Sequence, residues 1–111
     1  MNVPQGKKFD GGKLRWSLFP WLAAQEVVKV FMFGAKKYGD HNWLDGLAYD
    51  RFADAIQRHW FEWFVLGRDV DEESGFHPLA HLTCCALMIL TYHLLGMGKT
   101  LDTRRNGNEK K

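Results

Sequence analysis

The feature that most constrains this chain is an apolar run at residues 79–95, which spans 17 residues. Its clearly polar members are His81, Thr83, Thr91 and His93. Apolar side chains surround a helix of this composition almost completely, as in a helix at the centre of a protein. The run is at the short limit for a membrane span, and its polar members make it too polar for one. It therefore predicts a buried central helix.

Two further segments have helical spacing. The first is predicted from about Pro20 to Gly39, because proline suits a first helical turn and glycine often ends a helix. The second is predicted from Asp50, as its N-cap, to Gly67. The sequence contains no strand-like alternation of apolar and polar residues. The fold class predicted is therefore all-α, a small helical bundle.

Charge divides the chain into three parts. Residues 1–16 carry a net charge of +3, residues 17–96 carry −4 and residues 97–111 carry +3, within an overall charge of +2. A length of 111 residues allows one folded domain. We predict a basic N-terminal segment at 1–16, a helical domain at 17–96 and a basic flexible tail at 97–111.

Cysteine usage and the N-terminus indicate a cellular compartment. Cys84 and Cys85 are adjacent and cannot form an ordinary disulfide, because neighbours on a helix direct their sulfurs apart. Such a pair is typical of small core residues in a reducing compartment. Residues 1–13 contain no apolar stretch of the kind that a secretory signal has. We expect a cytoplasmic protein that does not enter a membrane.

The aromatic content predicts an oligomer. Five tryptophans and eight phenylalanines occur in the chain. Three helices of the predicted lengths carry more apolar surface than one small bundle can bury. We therefore expect a homo-oligomer, a dimer or a tetramer, with the second or third helix at its interface.

Carboxylates and histidines concentrate at one predicted end of the bundle. His59 and Glu62 are three residues apart and share a helix edge, and His77 and His81 are four apart. The short loop between the second and third helices makes them antiparallel, which brings these pairs close to the acidic loop. That loop contributes Asp69, Asp71, Glu72 and Glu73. Oxygen ligands with added histidine suit magnesium or manganese.

Each of these features also has a structural interpretation. Acids in a loop before a helix interact favourably with the positive end of the helix dipole and so stabilise the helix. A histidine on an apolar stripe is often a hydrogen-bonded core residue. The spacing of His77 and His81 matches that of a zinc-protease helix. Pro78 stands where that class has its catalytic glutamate, so the sequence excludes a zinc protease of this class. The concentration of acids and histidines within residues 59–81 favours a metal site.

Cations form the complementary half of the pattern. Lys8, Lys13 and Arg15 lie in a glycine-containing segment, and Lys37 and Tyr38 end the first helix. Cations on glycine-containing backbone suit phosphate binding. A lysine at a helix C-terminus also complements the helix dipole, so both interpretations of Lys37 stay open.

Four blocks occur in a fixed order: K-x-D-x-G-K-x-R at 8–15, G-x-x-K-Y-G-x-x-N-W at 34–43, R-H at 58–59 and D-x-E-S-G-x-H-x-x-x-H at 71–81. In this combination the chain resembles the phage and bacterial dATP/dGTP diphosphohydrolase family over about residues 5–95. That family is grouped with the MazG-like all-α nucleoside triphosphate pyrophosphohydrolases. The E-x-x-E and E-x-x-D metal pairs familiar in MazG-like proteins are not intact in this sequence.

The resemblance implies a MazG-like bundle, completed by homo-oligomerisation, that cleaves a purine dNTP (dGTP or dATP) to the monophosphate and pyrophosphate with Mg²⁺ or Mn²⁺. In that picture residues 1–16 bind substrate and residues 17–96 form the catalytic domain. The implied metal ligands are Glu62, Asp71, Glu73, His77 and His81. The implied catalytic groups are Glu62, Glu73 and His59. The implied substrate-binding residues are Lys8, Lys13, Arg15, Lys37, Tyr38, Asn42, Trp43 and Arg58.

The expected partner is the purine dNTP, without a stable nucleic-acid complex, in the host cytoplasm if the protein is phage-encoded. One rival hypothesis is a non-enzymatic helical module that binds nucleic acid through its basic ends. The basic tail favours it, and the acidic middle opposes it because phosphates would be repelled. A second rival, a purely structural oligomer, leaves the acids and histidines without a role.

Overall fold

A computed structural model describes residues 5–106. Its helices are α1 (Trp21–Tyr38), α2 (Tyr49–Trp60), a π-helical turn that continues α2 (Phe61–Val65), α3 (Pro78–Leu94) and a short α4 (Gly98–Leu101). Single 3₁₀ turns lie at Trp16–Leu18 and Asn42–Asp45. No strand occurs within residues 5–106, which confirms the all-α prediction. None of the described helices is both long enough and apolar enough to cross a membrane.

Helix α1 begins and ends where the sequence predicts. Pro20 precedes its first residue, and Gly39 follows its last. Gly39 has a φ of 100°, a conformation that disfavours residues with a side chain, and its N–H donates to the carbonyl of Ala35. This glycine therefore stops the helix and turns the chain toward the connection that leads to α2.

The start of α2 differs from the prediction. Its N-cap is Ala48, not Asp50, and Asp50 lies in the first turn. The backbone N–H of Asp50 donates to Oγ1 of Thr103 at 2.9 Å. A hydroxyl of the C-terminal segment thus binds an N–H of the first helical turn, which a capping side chain before the helix would otherwise bind. The predicted end at Gly67 is confirmed, although the helix widens into its π-helical turn before it.

Helix α3 is central, as predicted, because it packs against both α1 and α2. Against α1, a buried cluster joins Val27 and Val30 to Ala80 and Cys84. Against α2, a second cluster is formed by Tyr49, Phe52 and Tyr92. Tyr49 and Phe52 at the start of α2 thus meet the end of α3, so these two helices are antiparallel.

The outer face of α3 remains open. Leu87, Leu90 and Leu94 are exposed, Leu94 to 76% of its surface. On α2 and its π-helical turn, Trp60, Phe61 and Phe64 are also exposed. Isolated apolar residues on a surface are ordinary, whereas a group of this size is typical of an interface. The homo-oligomer stays a prediction.

The sequence predicts a basic flexible tail at 97–111, and the structure shows that residues 97–103 of this segment contact the helices. Gly96, with a φ of 78°, turns the chain back, and α4 follows. Met97 and Leu101 pack against the cluster of Tyr49, Phe52 and Tyr92 because their spacing places both on one side of the turn. Asp102 is 6% exposed and forms an ion pair with Arg104 at 2.6 Å. The remainder of the predicted tail, 107–111, lies outside the described residues, as do 1–4.

Candidate functional site

A cavity of about 510 Å³ opens between α1, α2, α3 and the connection at residues 39–48. Its volume is in the range of sites for small molecules. Polar side chains line one end, which we call the acid–histidine end: Lys37, His59, Asp71, Glu73 and His81. Apolar and aromatic side chains together with one arginine line the other, which we call the aromatic end: Trp43, Leu47, Arg51, Phe52 and Met88.

Ser74 connects a carboxylate to an imidazole at the acid–histidine end. Its backbone N–H and its hydroxyl both donate to Oδ2 of Asp71, each at 3.0 Å. The same hydroxyl oxygen lies 2.6 Å from Nε2 of His81. A hydroxyl has one hydrogen, so Nε2 of His81 is the donor in that second contact. The serine therefore fixes the orientation of Asp71 and the tautomer of His81 together.

Asp71 is held in its charged form. Burial alone would raise the pKa of its carboxyl, but the two hydrogen bonds from Ser74 and the nearby charges of His81 and His59 lower it overall. The backbone around it is a closed turn, because the N–H of Asp71 donates to the carbonyl of Phe76 and the N–H of Gly75 donates back to that of Asp71, both at 2.8 Å. The loop thus presents an ionised carboxylate at a fixed place.

His59 from α2 and His81 from α3 stack on each other. Their ring centroids are 4.7 Å apart and their planes differ by 16°. Burial, followed by the charge of His59, lowers the pKa of His81 despite the opposing effect of Asp71 and Glu73. A neutral imidazole keeps a lone pair for a ligand or a proton, which suits a binding site.

One group of side chains at this end can hold a metal ion. His59, Glu62 and Asp71 each offer a ligand atom, and these atoms lie within 4.8 Å of one another. Nδ1 of His59 is 3.5 Å from Oε1 of Glu62 and 4.0 Å from Oδ1 of Asp71. Two carboxylates with one imidazole form a donor set that suits manganese or magnesium.

Lys37 and Glu73 form an ion pair that brings α1 to the acidic loop. Nζ of Lys37 donates to Oε1 of Glu73 at 2.7 Å, and both side chains are exposed. The hydrogen bond to Glu73 raises the pKa of Lys37. A pair this exposed contributes little to stability, so its place at the rim of the cavity matters more than its strength.

The sequence analysis names fourteen residues for catalysis, metal binding or substrate binding, and eight of them line this cavity. Lys37, Tyr38, Asn42 and Trp43 line it with His59, Asp71, Glu73 and His81. Glu62 does not line the cavity but belongs to the group of ligand atoms described above. Trp43 is also held by contacts of its ring with Phe31 and Tyr92.

His77 is placed away from this group. Its Nδ1 accepts the backbone N–H of Leu79 at 3.0 Å, which makes His77 the N-cap of α3. Its Nε2 lies 3.5 Å from Oδ1 of Asp69, and its ring lies near Trp63. The structure therefore gives this residue a capping contact, and it is absent from the set of adjacent ligand atoms.

The predicted phosphate-binding cations of the N-terminal segment are also placed elsewhere. Residues 5–20 are exposed throughout, and Lys8, Lys13 and Arg15 do not line the cavity. Arg58 is exposed on α2 and does not line it either, although its charge opposes the rise that burial causes in the pKa of Cys85. Among residues 5–106 of one copy of the chain, Lys37 and Arg51 are the lysine and arginine that line the cavity.

Sequence reasoning missed three residues of the site. Arg51 lies at the aromatic end, and the signal for it was its place two helical turns before His59 on one face of α2. Ser74 was part of a motif, but no spacing rule indicates that its hydroxyl joins Asp71 and His81. Phe33 packs edge-on against His81, with centroids 6.5 Å apart.

Comparisons with known proteins agree with one another. A family model described as "dATP/dGTP diphosphohydrolase, N-terminal" matches residues 3–104. A curated relative named "dATP/dGTP diphosphohydrolase", from Salmonella phage PMBT28, is 39% identical over 100 residues. The alignment covers 90% of this chain and 33% of the relative, so the chain spans about a third of that protein's length. The search of solved structures found no match.

Proposed function

The chain belongs to the dATP/dGTP diphosphohydrolase N-terminal family, and from this premise we propose that it hydrolyses a purine deoxynucleoside triphosphate. In the proposed reaction, water attacks the α-phosphorus, and the products are the deoxynucleoside monophosphate and pyrophosphate. The chain would act as a MazG-like pyrophosphohydrolase that needs Mg²⁺ or Mn²⁺.

The observation that carries the proposal is the two-ended cavity. A deoxynucleoside triphosphate has an anionic chain at one end and a planar, largely apolar base at the other. The acid–histidine end combines Lys37 with the groups able to hold a cation, and the aromatic end offers Trp43 and Phe52 to a base. This division matches the two ends of such a nucleotide.

Glu62, Asp71 and His59 would hold the divalent cation. The adjacency of their ligand atoms and the charged form of Asp71 support this choice over the set that includes His77. When bound, the cation would neutralise phosphate oxygens and make a nearby water more acidic. His81 would not bind the cation itself. It would contact the hydroxyl of Ser74, which donates to Asp71 and so keeps that ligand in position.

Lys37 and Glu73 would divide the remaining tasks. Lys37 contacts the acidic loop through Glu73 and would donate to the phosphates as negative charge grows on the leaving pyrophosphate. That contact would release Oε1 of Glu73, which lines the cavity and would accept the proton of the attacking water. The ion pair seen here would thus be the resting arrangement of both groups.

The N-terminal segment would complete the site of a neighbouring copy in a homo-oligomer. Lys8, Lys13 and Arg15 lie outside the cavity of their own chain and on an exposed segment. Exposed Leu90 and Leu94 on α3 provide apolar surface for such an association. The three cations would then contact the triphosphate across the interface.

Purified protein with each of the four dNTPs, and with Mg²⁺ or Mn²⁺, tests the function. We expect turnover of dGTP or dATP that chelation of the metal abolishes and that Asp71→Asn reduces at least a hundredfold. Asp54→Asn is a matched control, because Asp54 is an exposed acid on α2 outside the cavity. Absence of turnover of every dNTP by the wild-type protein would contradict the proposal.

A further inference from the structure

Arg51 is a charged residue of the cavity to which the proposed hydrolysis assigns no task. It lies in the first turn of α2, at the aromatic end. Within residues 5–106 its guanidinium has no hydrogen bond or ion pair. A guanidinium carries five N–H donors in a planar fork and no acceptor, so Arg51 presents donors alone to whatever occupies this end.

Helix geometry separates Arg51 from the acid–histidine end. Arg51 precedes His59 by eight residues, which corresponds to about 12 Å along a helix axis. A single ligand that contacts both residues must therefore be extended. If the phosphates of a nucleotide lie near His59, the base, on the other side of the sugar, is directed toward Arg51.

The surroundings of Arg51 suit a base. Trp43, Phe52 and Met88 line the same end of the cavity with apolar surface. The lining acids, Asp71 and Glu73, belong to the opposite end. The charged group that meets the polar edge of a base here is therefore a cation that can only donate hydrogen bonds.

We propose that Arg51 contacts the base of the bound purine nucleotide and makes the site prefer guanine over adenine. This inference rests on the proposed function. Guanine presents O6 and N7 as adjacent acceptors, which the fork of an arginine can bind at the same time. Adenine places an amino donor beside N7, so one N–H of Arg51 would face another donor. That mismatch sets two donors against each other, leaves one N–H of Arg51 without an acceptor and weakens binding.

The test compares kcat/KM for dGTP, dATP and dITP, whose hypoxanthine base keeps O6 and N7. We expect the wild-type protein to favour dGTP and dITP over dATP about tenfold or more. In Arg51→Ala, dGTP and dITP should fall to the level of dATP, while dATP changes little. Arg51→Gln should favour dATP, because glutamine pairs with N6 and N7 of adenine. Arg105→Ala, which removes an exposed arginine outside the cavity, should keep the wild-type ratios.

Two results would overturn the inference. An unchanged ratio of dGTP to dATP in Arg51→Ala shows that the arginine does not contact the base, and an equal loss for all three substrates shows that it contacts phosphate. Calorimetric binding of dGMP and dAMP to the wild-type and Arg51→Ala proteins separates this inference from the proposed function. A preference for dGMP that depends on Arg51, in a protein that hydrolyses no dNTP, would retain the inference and reject the function; equal binding of both would reject the inference.

Discussion

His59 and His81 lie face to face across the contact between α2 and α3, with ring centroids 4.7 Å apart. Asp71 lies beside both rings: its carboxylate oxygens are 4.0 Å from Nδ1 of His59 and 3.7 Å from Nε2 of His81. The two stacked rings and this carboxylate therefore form one group at the acid–histidine end. Two imidazolium ions at this distance would repel each other. The pair therefore makes the geometry of the site sensitive to protonation.

The pH dependence of stability tests this pair. Burial and the charge of His59 lower the pKa of His81, so the folded protein resists a proton that the unfolded chain binds at about pH 6.5. The contribution of a neutral His81 is complete above that pH and is lost as the pH falls through the lower, folded pKa. The thermal midpoint should therefore fall more between pH 8 and pH 5 in the wild-type protein than in His81→Gln.

The exposed residue His41 provides the control for that comparison. Its φ of 60° is a conformation that asparagine also adopts readily, so His41→Asn should keep the pH dependence of the wild-type protein. Parallel curves for the wild-type protein and His81→Gln would show that His81 does not couple folding to pH.

Ser74 should control metal affinity without being a ligand. Ser74→Ala removes the hydroxyl that orients Asp71 and His81, and loss of such an outer contact typically weakens metal binding about tenfold or more. Ser74→Thr keeps the hydroxyl and should bind nearly as the wild-type protein does. Titration of Mn²⁺ by electron paramagnetic resonance measures both, without substrate. Equal affinities in the alanine and wild-type proteins would place Ser74 outside the binding of the ion.

Tyr92 should stabilise the fold through its contact with Trp43, a residue of the aromatic end. It is fully buried, and its hydroxyl donates to the backbone carbonyl of Trp43. Tyr92→Phe removes this hydrogen bond, while the carbonyl keeps the one from the backbone N–H of Gly46. We therefore expect the free energy of unfolding to fall by about 0.5–1.5 kcal/mol, the usual net contribution of one hydrogen bond. Urea denaturation measures the loss. Tyr38→Phe, at an exposed position, should lie close to the wild-type value, and a similar value for Tyr92→Phe would show that the bond is not needed.

The packing of the C-terminal segment has its own matched pair of substitutions. Leu101 packs against the buried cluster of Tyr49, Phe52 and Tyr92, whereas Leu95 is exposed. Leu101→Ala should lower the free energy of unfolding by about 2 kcal/mol, toward the low end for leucine truncation because Leu101 is only half-buried. Leu95→Ala should change it by less than about 0.5 kcal/mol. Equal effects of the two substitutions would contradict the packing of this segment.

Association of the chain can be tested at the open face of α3. We expect a dimer or tetramer by light scattering, and a shift toward the monomer in Leu90→Glu, because a charge on this face would be buried without a partner. Val70→Glu changes an exposed residue of the acidic loop and should leave the mass unchanged. A monomeric wild-type protein at micromolar concentration would reject the interface and the shared site together.

Local signals were sufficient to predict the three long helices, α1, α2 and α3, but not the short α4. Pro20, Gly39 and Gly67 mark their bounds because each acts on the backbone of its immediate neighbours. The antiparallel arrangement of α2 and α3 followed from the short loop between them, and it brought His59 and His81 together. The proximity of His59 and His81, which these two helices carry, was therefore within reach of sequence reasoning.

Contacts between segments that are distant in the sequence could not be predicted from such local signals. Asp50 looks like an N-cap, but its N–H is bound by Thr103, more than fifty residues later in the chain. Leu101 lies in a polar stretch, and only the tertiary fold provides the cluster that buries it. Each of these depends on positions that pattern and spacing do not report.

The central claim is that this cavity directs water to the α-phosphorus of a purine dNTP. The most direct measurement is hydrolysis of dGTP in water enriched in oxygen-18, followed by mass spectrometry of the products. We predict that the label appears in dGMP and that the other product is unlabelled pyrophosphate. Label in pyrophosphate or inorganic phosphate, or release of deoxyguanosine with inorganic triphosphate, would contradict the account.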